Sequence, residues 1–185
     1  MRRAATAFAI TLAVAGTAFA QVPGGPESNR GAFAIDAMVA PTTGFGFGYY
    51  VTDGLSLRPF VGLGYDGYGF YASLGAQARY EFGAGSTVAP FLSASALYSH
   101  TPSAAIAEPG TGGASRQVVY QGDGAQFGAG AGLRFQLSRS FSLFGEGRVL
   151  YATYPINSLS QGWSSFDMGD RTRGEFVFGL TYLMH

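Results

Sequence analysis

Charged side chains make up only 12% of this 185-residue chain, and their placement carries most of its potential chemistry. Asp36, Arg58, Arg79, Glu81, Arg134, Glu146, Arg148 and Glu175 are four acids and four bases spread along the sequence. Such a balanced set facing one space can do two things. It can pair into a closed hydrogen-bonded network, or it can exchange partners along an ion path. Pairing asks for nothing beyond the residues themselves, so it is the expectation. Other chemistry is thin. Cys is absent, and the two histidines, His100 and His185, lie far apart, so neither a thiolate nor a His-rich metal site is expected. A formal net charge of zero gives no electrostatic case for nucleic acid. Gly62 to Gly67, "GLGYDG", matches G-x-G-x-x-G, but the dinucleotide fingerprint needs a strand opening into a helix, and here a strand meets a tight turn. No cofactor is expected.

The elements that position the charges show in the alternation around them. In Phe70 to Phe82, "FYASLGAQARYEF", one parity is Phe, Ala, Leu, Ala, Ala, Tyr, Phe, and the other holds Tyr71, Ser73, Gly75, Gln77, Arg79 and Glu81. Period two is a strand. Runs of the same kind cover 32–39, 44–51, 55–66, 88–100, 124–137, 141–151 and 173–184. That makes eight, most near the length a tilted strand needs to cross a bilayer. Pro59 and Pro90 cannot donate to a ladder, so a bulge or strand end is expected at each. Connections at one end are short (52–54, 83–87, 138–140), whereas both long segments, 101–123 and 155–172, fall at the other end. Val118 to Tyr120 would extend the sixth strand.

The charges decide which face is inside. All eight fall on the Gly/Ser parity and none on the aliphatic and aromatic parity. In water, that second face would expose far more apolar surface than soluble monomers show. In a bilayer it meets acyl chains, and Phe45, Tyr65, Tyr80, Phe82, Tyr98, Phe135, Phe141, Tyr151 and Tyr182 fit interfacial girdles. The expected fold is all-β, an eight-stranded antiparallel up-and-down transmembrane β-barrel. A secreted lipocalin-like barrel is the alternative, and it would need an apolar lumen. An eight-stranded lumen is just wide enough for side chains to fill.

The first 20 residues read as a secretory signal peptide, with Arg2 and Arg3, an apolar run over 4–16, and Ala18-Phe19-Ala20 before Gln21. Residues 21–30 form a Pro/Gly/polar linker, and 31–185 the barrel.

"GYYVTDGLSLRPFVGLGYD" resembles the strand-turn-strand units of small OmpA-like and OmpX-like outer-membrane β-barrel proteins. The end, "FGLTYLM" plus His185, is similar to their β-signal, with Gly179, Tyr182 and Met184 at Gly-x-x-Φ-x-Φ positions and His in place of a final Phe. The resemblance implies the outer membrane of a diderm bacterium. Its implied partners are membrane lipid and lipopolysaccharide, the barrel-assembly machinery during insertion, and an extracellular partner reached through the long loops. It implies a structural or surface-interaction role, with a narrow low-conductance pore as the alternative. Some such barrels are lipid A deacylases or acyltransferases, and His100 with Ser99, Ser103 and Glu108 raises that reading. The deacylase pattern is His-x-Ser, however, and this chain has His100-Thr101-Pro102-Ser103. No catalysis is expected. Trp163 and Phe166, in the second long segment, are the candidate outer-loop contact.

Overall fold

The computed structural model describes residues 28–39, 43–65, 70–83, 85–100, 104–109, 115–120, 124–153, 165–169 and 171–184. The signal peptide, linker residues 21–27, Trp163 and His185 lie outside them. Every regular element described is a strand: β1 (Phe33–Val39), β2 (Thr43–Tyr50), β3 (Leu55–Tyr65), β4 (Phe70–Glu81), β5 (Val88–His100), β6 (Ala104–Pro109), β7 (Ser115–Tyr120), β8 (Gly124–Gln136), β9 (Phe141–Ala152), β10 (Ser165–Gly169) and β11 (Thr172–Met184). Neighbours pair in the order β1-β2-β3-β4-β5-β8-β9-β11, and β1 pairs with β11 to close the sheet. The result is a closed antiparallel barrel of eight staves, as the alternation requires. Closure matters energetically because it leaves no unpaired sheet edge to hydrocarbon.

Three strands go beyond the eight. The first long segment contains the hairpin β6–β7, which forms its own two-stranded sheet. Val118 to Tyr120 therefore pair with Ala104 to Ile106 instead of simply lengthening the sixth stave. Between the pairs Ser99–Gly124 and Ala104–Tyr120 the chain advances five residues on one side and four on the other, so the ladder cannot run through unbroken. The second long segment contains β10, which pairs with β11 from Thr172 to Glu175. There β9 holds one edge of β11, and β1 does not reach beyond Phe178 on the other. β10 thus occupies the edge that the short β1 leaves open.

Pro59 departs from expectation. It sits inside β3, opposite Ala76, with the β3–β4 register unbroken from Leu55–Tyr80 to Tyr65–Phe70. On the β2 side, pairing lapses between Gly46–Phe60 and Tyr49–Leu57 and resumes in the same register. The missing N–H is absorbed by a two-pair gap in one ladder, not by a bulge. Pro90 lies near the start of β5, one residue before the last β4–β5 pair, Glu81–Phe91. Its carbonyl accepts a hydrogen bond from the Phe82 N–H (2.8 Å). In the turn between them, Gly83 and Gly85 adopt φ of +72° and +93°, the left-handed region that glycine enters without a Cβ clash.

Burial separates the two faces. Inward residues of β2 (Gly44, Gly46, Gly48, Tyr50) are buried, while Phe45, Phe47 and Tyr49 between them are exposed. Around the wall, Ile35, Leu57, Val61, Leu63, Leu74, Leu92, Phe127, Leu143, Val149 and Phe178 also face outward, most of them about half exposed. Of the girdle aromatics, all but Tyr65, whose side chain is not described, are exposed. Phe33 packs on Phe47 and Tyr49, Tyr80 on Phe82, and Phe141 on Tyr182, with ring centroids 4.8–5.9 Å apart near the short-turn end. Hydrocarbon is the solvent that such a belt calls for. Placing an arginine at outward-facing Val61 is expected to lower the free energy of unfolding from lipid vesicles by about 2–4 kcal/mol. Urea titration of Val61→Arg checks this, and a loss below about 0.5 kcal/mol, ordinary for a watery surface, would contradict a lipid-facing belt.

Candidate functional site: the charged lumen

All eight sequence-derived charges point into the barrel. Asp36, Arg58, Arg79, Glu81, Arg134, Glu146 and Glu175 are buried, and the Arg148 side chain is 10% exposed. They sort into three tiers.

The tier nearest the short turns is centred on Arg58. Its Nη1 donates to both Asp36 oxygens (2.8 and 2.6 Å), Nε to Ser56 Oγ (2.9 Å) and Nη2 to the Tyr50 hydroxyl (2.8 Å). Thr181 Oγ1 donates a further bond to Asp36 (2.5 Å). The Tyr50 hydroxyl in turn donates to Glu81 Oε1 (3.0 Å), and Arg134 Nε donates to Glu81 Oε2 (2.8 Å). One connected network thus joins β1, β2, β3, β4, β8 and β11, and the arginine fork supplies the geometry that lets it branch.

The middle tier is less completely paired. Gln77 Nε2 donates to both oxygens of Glu146 (3.0 Å each), and Ser93 Oγ donates to Oε1 (2.5 Å). Glu146 is thereby satisfied mainly by neutral donors. Arg79 reaches it only at 3.8 Å and donates instead to Gln77 Oε1 (3.2 Å). Its Nε and Nη1 have no hydrogen-bond partner, although the side chain is fully buried. What holds it is aromatic: its guanidinium lies 4.3 Å from the Phe91 ring centroid and 4.4 Å from that of Phe144. A desolvated cation between two ring faces recovers about 2 kcal/mol or more per contact.

Glycine makes that clamp possible. A Cβ on Gly132 would stand 2.4 Å from Phe91 Cζ, and one on Gly179 would stand 2.4 Å from Phe144 Cε1 and Cζ. Gly132 and Gly179 are the cross-strand partners of Phe91 and Phe144, so each ring occupies the volume that a side chain on the neighbouring stave would fill. Around the clamp, Phe91, Phe144 and Val177 form one apolar cluster, and Phe60, Leu97 and Leu150 form another, with Met38 packed against both.

The third tier lies toward the long loops. Arg148 Nε donates to Glu175 Oε1, and Arg173 Nη2 approaches Glu175 Oε2 at 3.5 Å. Arg173 Nη2 also donates to Gln126 Oε1 (3.3 Å), and Gln126 Nε2 donates to Ser99 Oγ (3.0 Å). Arg173 is not among the eight charges read from the sequence. Its parity with Glu175 and Val177 is the signal that places it inside.

Other sequence candidates fall elsewhere. His100 is exposed at the long-loop end of β5, whereas Ser99 points to the opposite face and is buried. Ser103 and the side chain of Glu108 lie outside the described residues. Phe166 pairs through its backbone with Gly174, and its side chain is not described.

No protein-family model and no curated protein sequence matches the chain. Solved structures do. The N-terminal β-barrel domain of Pseudomonas aeruginosa OprF superposes with a TM-score of 0.57 at 17% identity, covering 84% of this chain and 98% of that one. A major outer membrane protein from Thermus thermophilus gives 0.51 at 15% identity, covering 83% and 99%. Neisserial surface protein A (NspA) gives 0.50 at 18% identity, covering 82% and 92%. The chain therefore has the fold of small outer-membrane β-barrels.

Glu81→Gln removes the carboxylate between Arg58 and Arg134 and is expected to cost about 3–5 kcal/mol, the penalty for stranding buried cations. Thermal loss of the compact form on unboiled gels reads this. Replacing Glu81 and Arg134 together by leucine should recover part of the loss.

Proposed function

We propose that the protein is an integral outer-membrane barrel of a diderm bacterium, anchored by its lipid-facing belt and closed by its charged lumen. In this reading it acts as a structural or surface-interaction protein without catalysis. The single observation that supports it best is the continuity of the filling across the lumen. Ion pairs at the short-turn end, a guanidinium clamped by two rings in the middle, and further ion pairs at the outer end leave little room for a hydrated solute. The separation of His100 and Ser99 onto opposite faces of the wall supports the non-catalytic part. Membrane lipid and lipopolysaccharide cover the belt, the assembly machinery inserts the barrel, and the loop ends that carry β6–β7 and β10 present the surface to any outer partner.

A second reading, a narrow low-conductance pore, rests on one specific feature. Arg79 and Glu146 stand 3.8 Å apart and are not directly hydrogen-bonded, so a small displacement of either opens the middle tier. Planar-bilayer recording separates the two. Wild-type protein is expected to show no steady conductance, and Phe144→Ala, which removes one ring of the clamp, should create one. Steady wild-type conductance altered by Arg79→Ala would replace the closed reading with the pore.

A further inference from the structure

The outer tier borders a small cavity that the network described above does not use. It has a volume of about 30 Å³, and Arg148, Arg173, Ser73 and Ser99 stand on its wall above an apolar floor that includes Phe60 and Leu97. We propose that this cavity is a site for one small monatomic anion, of the halide class, held at the outer mouth of the barrel.

Three observations carry the assignment. Among the described residues of the outer tier, two guanidiniums face a single carboxylate, Glu175, which is not on the cavity wall. The Nε–H of Arg173 is buried and has no hydrogen-bond partner, so a charged donor beside the cavity is unspent. Ser99 Oγ already accepts from Gln126, which leaves its own proton to be given away. Every polar group on the wall can therefore act as a donor, and a cation has no carboxylate there to meet.

Size sets the class. The space has room for about one or two waters, which suits a bare halide ion. The β10–β11 register sets Asp167 opposite Arg173, so that carboxylate is the rival source of negative charge. The test must tell a free anion from it.

The folded barrel in detergent micelles is heated in sodium chloride and in sodium gluconate of matched ionic strength. Loss of the compact gel form is scored. The expected result is a saturable rise of the midpoint in chloride alone, about 3–5 °C for each tenfold increase above the dissociation constant. Bromide should reproduce it. Arg173→Gln should abolish the difference between salts. If that variant fails to fold, Ser99→Val serves in its place, with the chloride effect at least halved. Equal midpoints in chloride and gluconate, the result if Asp167 alone serves the mouth, would overturn the proposal. So would an undiminished chloride effect in both variants.

Discussion

An eight-stave wall encloses a space too narrow for bulk water, and most of this molecule's interior follows from that. A charge pointing inward cannot rely on hydration, so each must find its counter-charge or donor on another stave. Asp36 finds Arg58 two staves away, Arg134 crosses two staves to Glu81, and Arg79 looks three staves across to Glu146. These contacts run across the lumen where backbone ladders cannot. They tie opposite walls together much as a hydrophobic core does in a soluble domain. Outside, the opposite constraint holds. Hydrocarbon accepts Leu, Val, Phe and Tyr and rejects charge, so the same strands read polar on one parity and apolar on the other.

That double constraint is why so much of the architecture is legible in the sequence. Strand positions, inward parity and the barrel closure all follow from one alternating pattern, and the eight staves lie within a residue or two of where the pattern puts them. What stays hidden has a common physical cause: it depends on which staves come close, and periodicity is silent on that. Nothing local in Phe91 or Phe144 marks them as a clamp for Arg79. Tyr50, at the end of a glycine-rich strand, gives no hint that its hydroxyl links Arg58 to Glu81. Arg173 escapes notice because it stands at a strand end, although its parity is that of the other lumen charges. Pro59 misleads for a related reason. The cost of its missing N–H depends on the neighbouring ladder, and β2 absorbs it with a short lapse in pairing.

Glycine has two unrelated meanings in this chain, and the structure separates them. On the inward parity, Gly132 and Gly179 are seats for aromatic rings arriving from other staves. Gly179 is also the cross-strand partner of Phe144, so the missing side chain and the ring meet at one rung of the ladder. On the outward parity of β9, Gly145 and Gly147 break the apolar alternation, and the structure shows what covers them. A Cβ at Gly147 would lie 3.3 Å from the Phe176 ring, and one at Gly145 3.5 Å from the Phe178 ring. The neighbouring strand lends the gap its aromatics, so the belt stays apolar where the sequence of β9 alone would thin it.

The three tiers differ in how their charges are satisfied, and that difference ranks them mechanically. In the first, every carboxylate oxygen meets a donor, and any motion must break several bonds at once. In the outer tier, Glu175 is buried and only Arg148 bonds it directly, while its Oε2 meets Arg173 at 3.5 Å without a hydrogen bond. The middle tier is held differently: Glu146 is saturated by Gln77 and Ser93, while Arg79 depends on ring faces and a single amide oxygen. Ring contacts are less directional than hydrogen bonds, so Arg79 can slide between the rings at lower cost than Arg58 can leave Asp36. The closure of the lumen is therefore no stronger than two phenylalanines, and those are seated on two glycines of the adjacent staves.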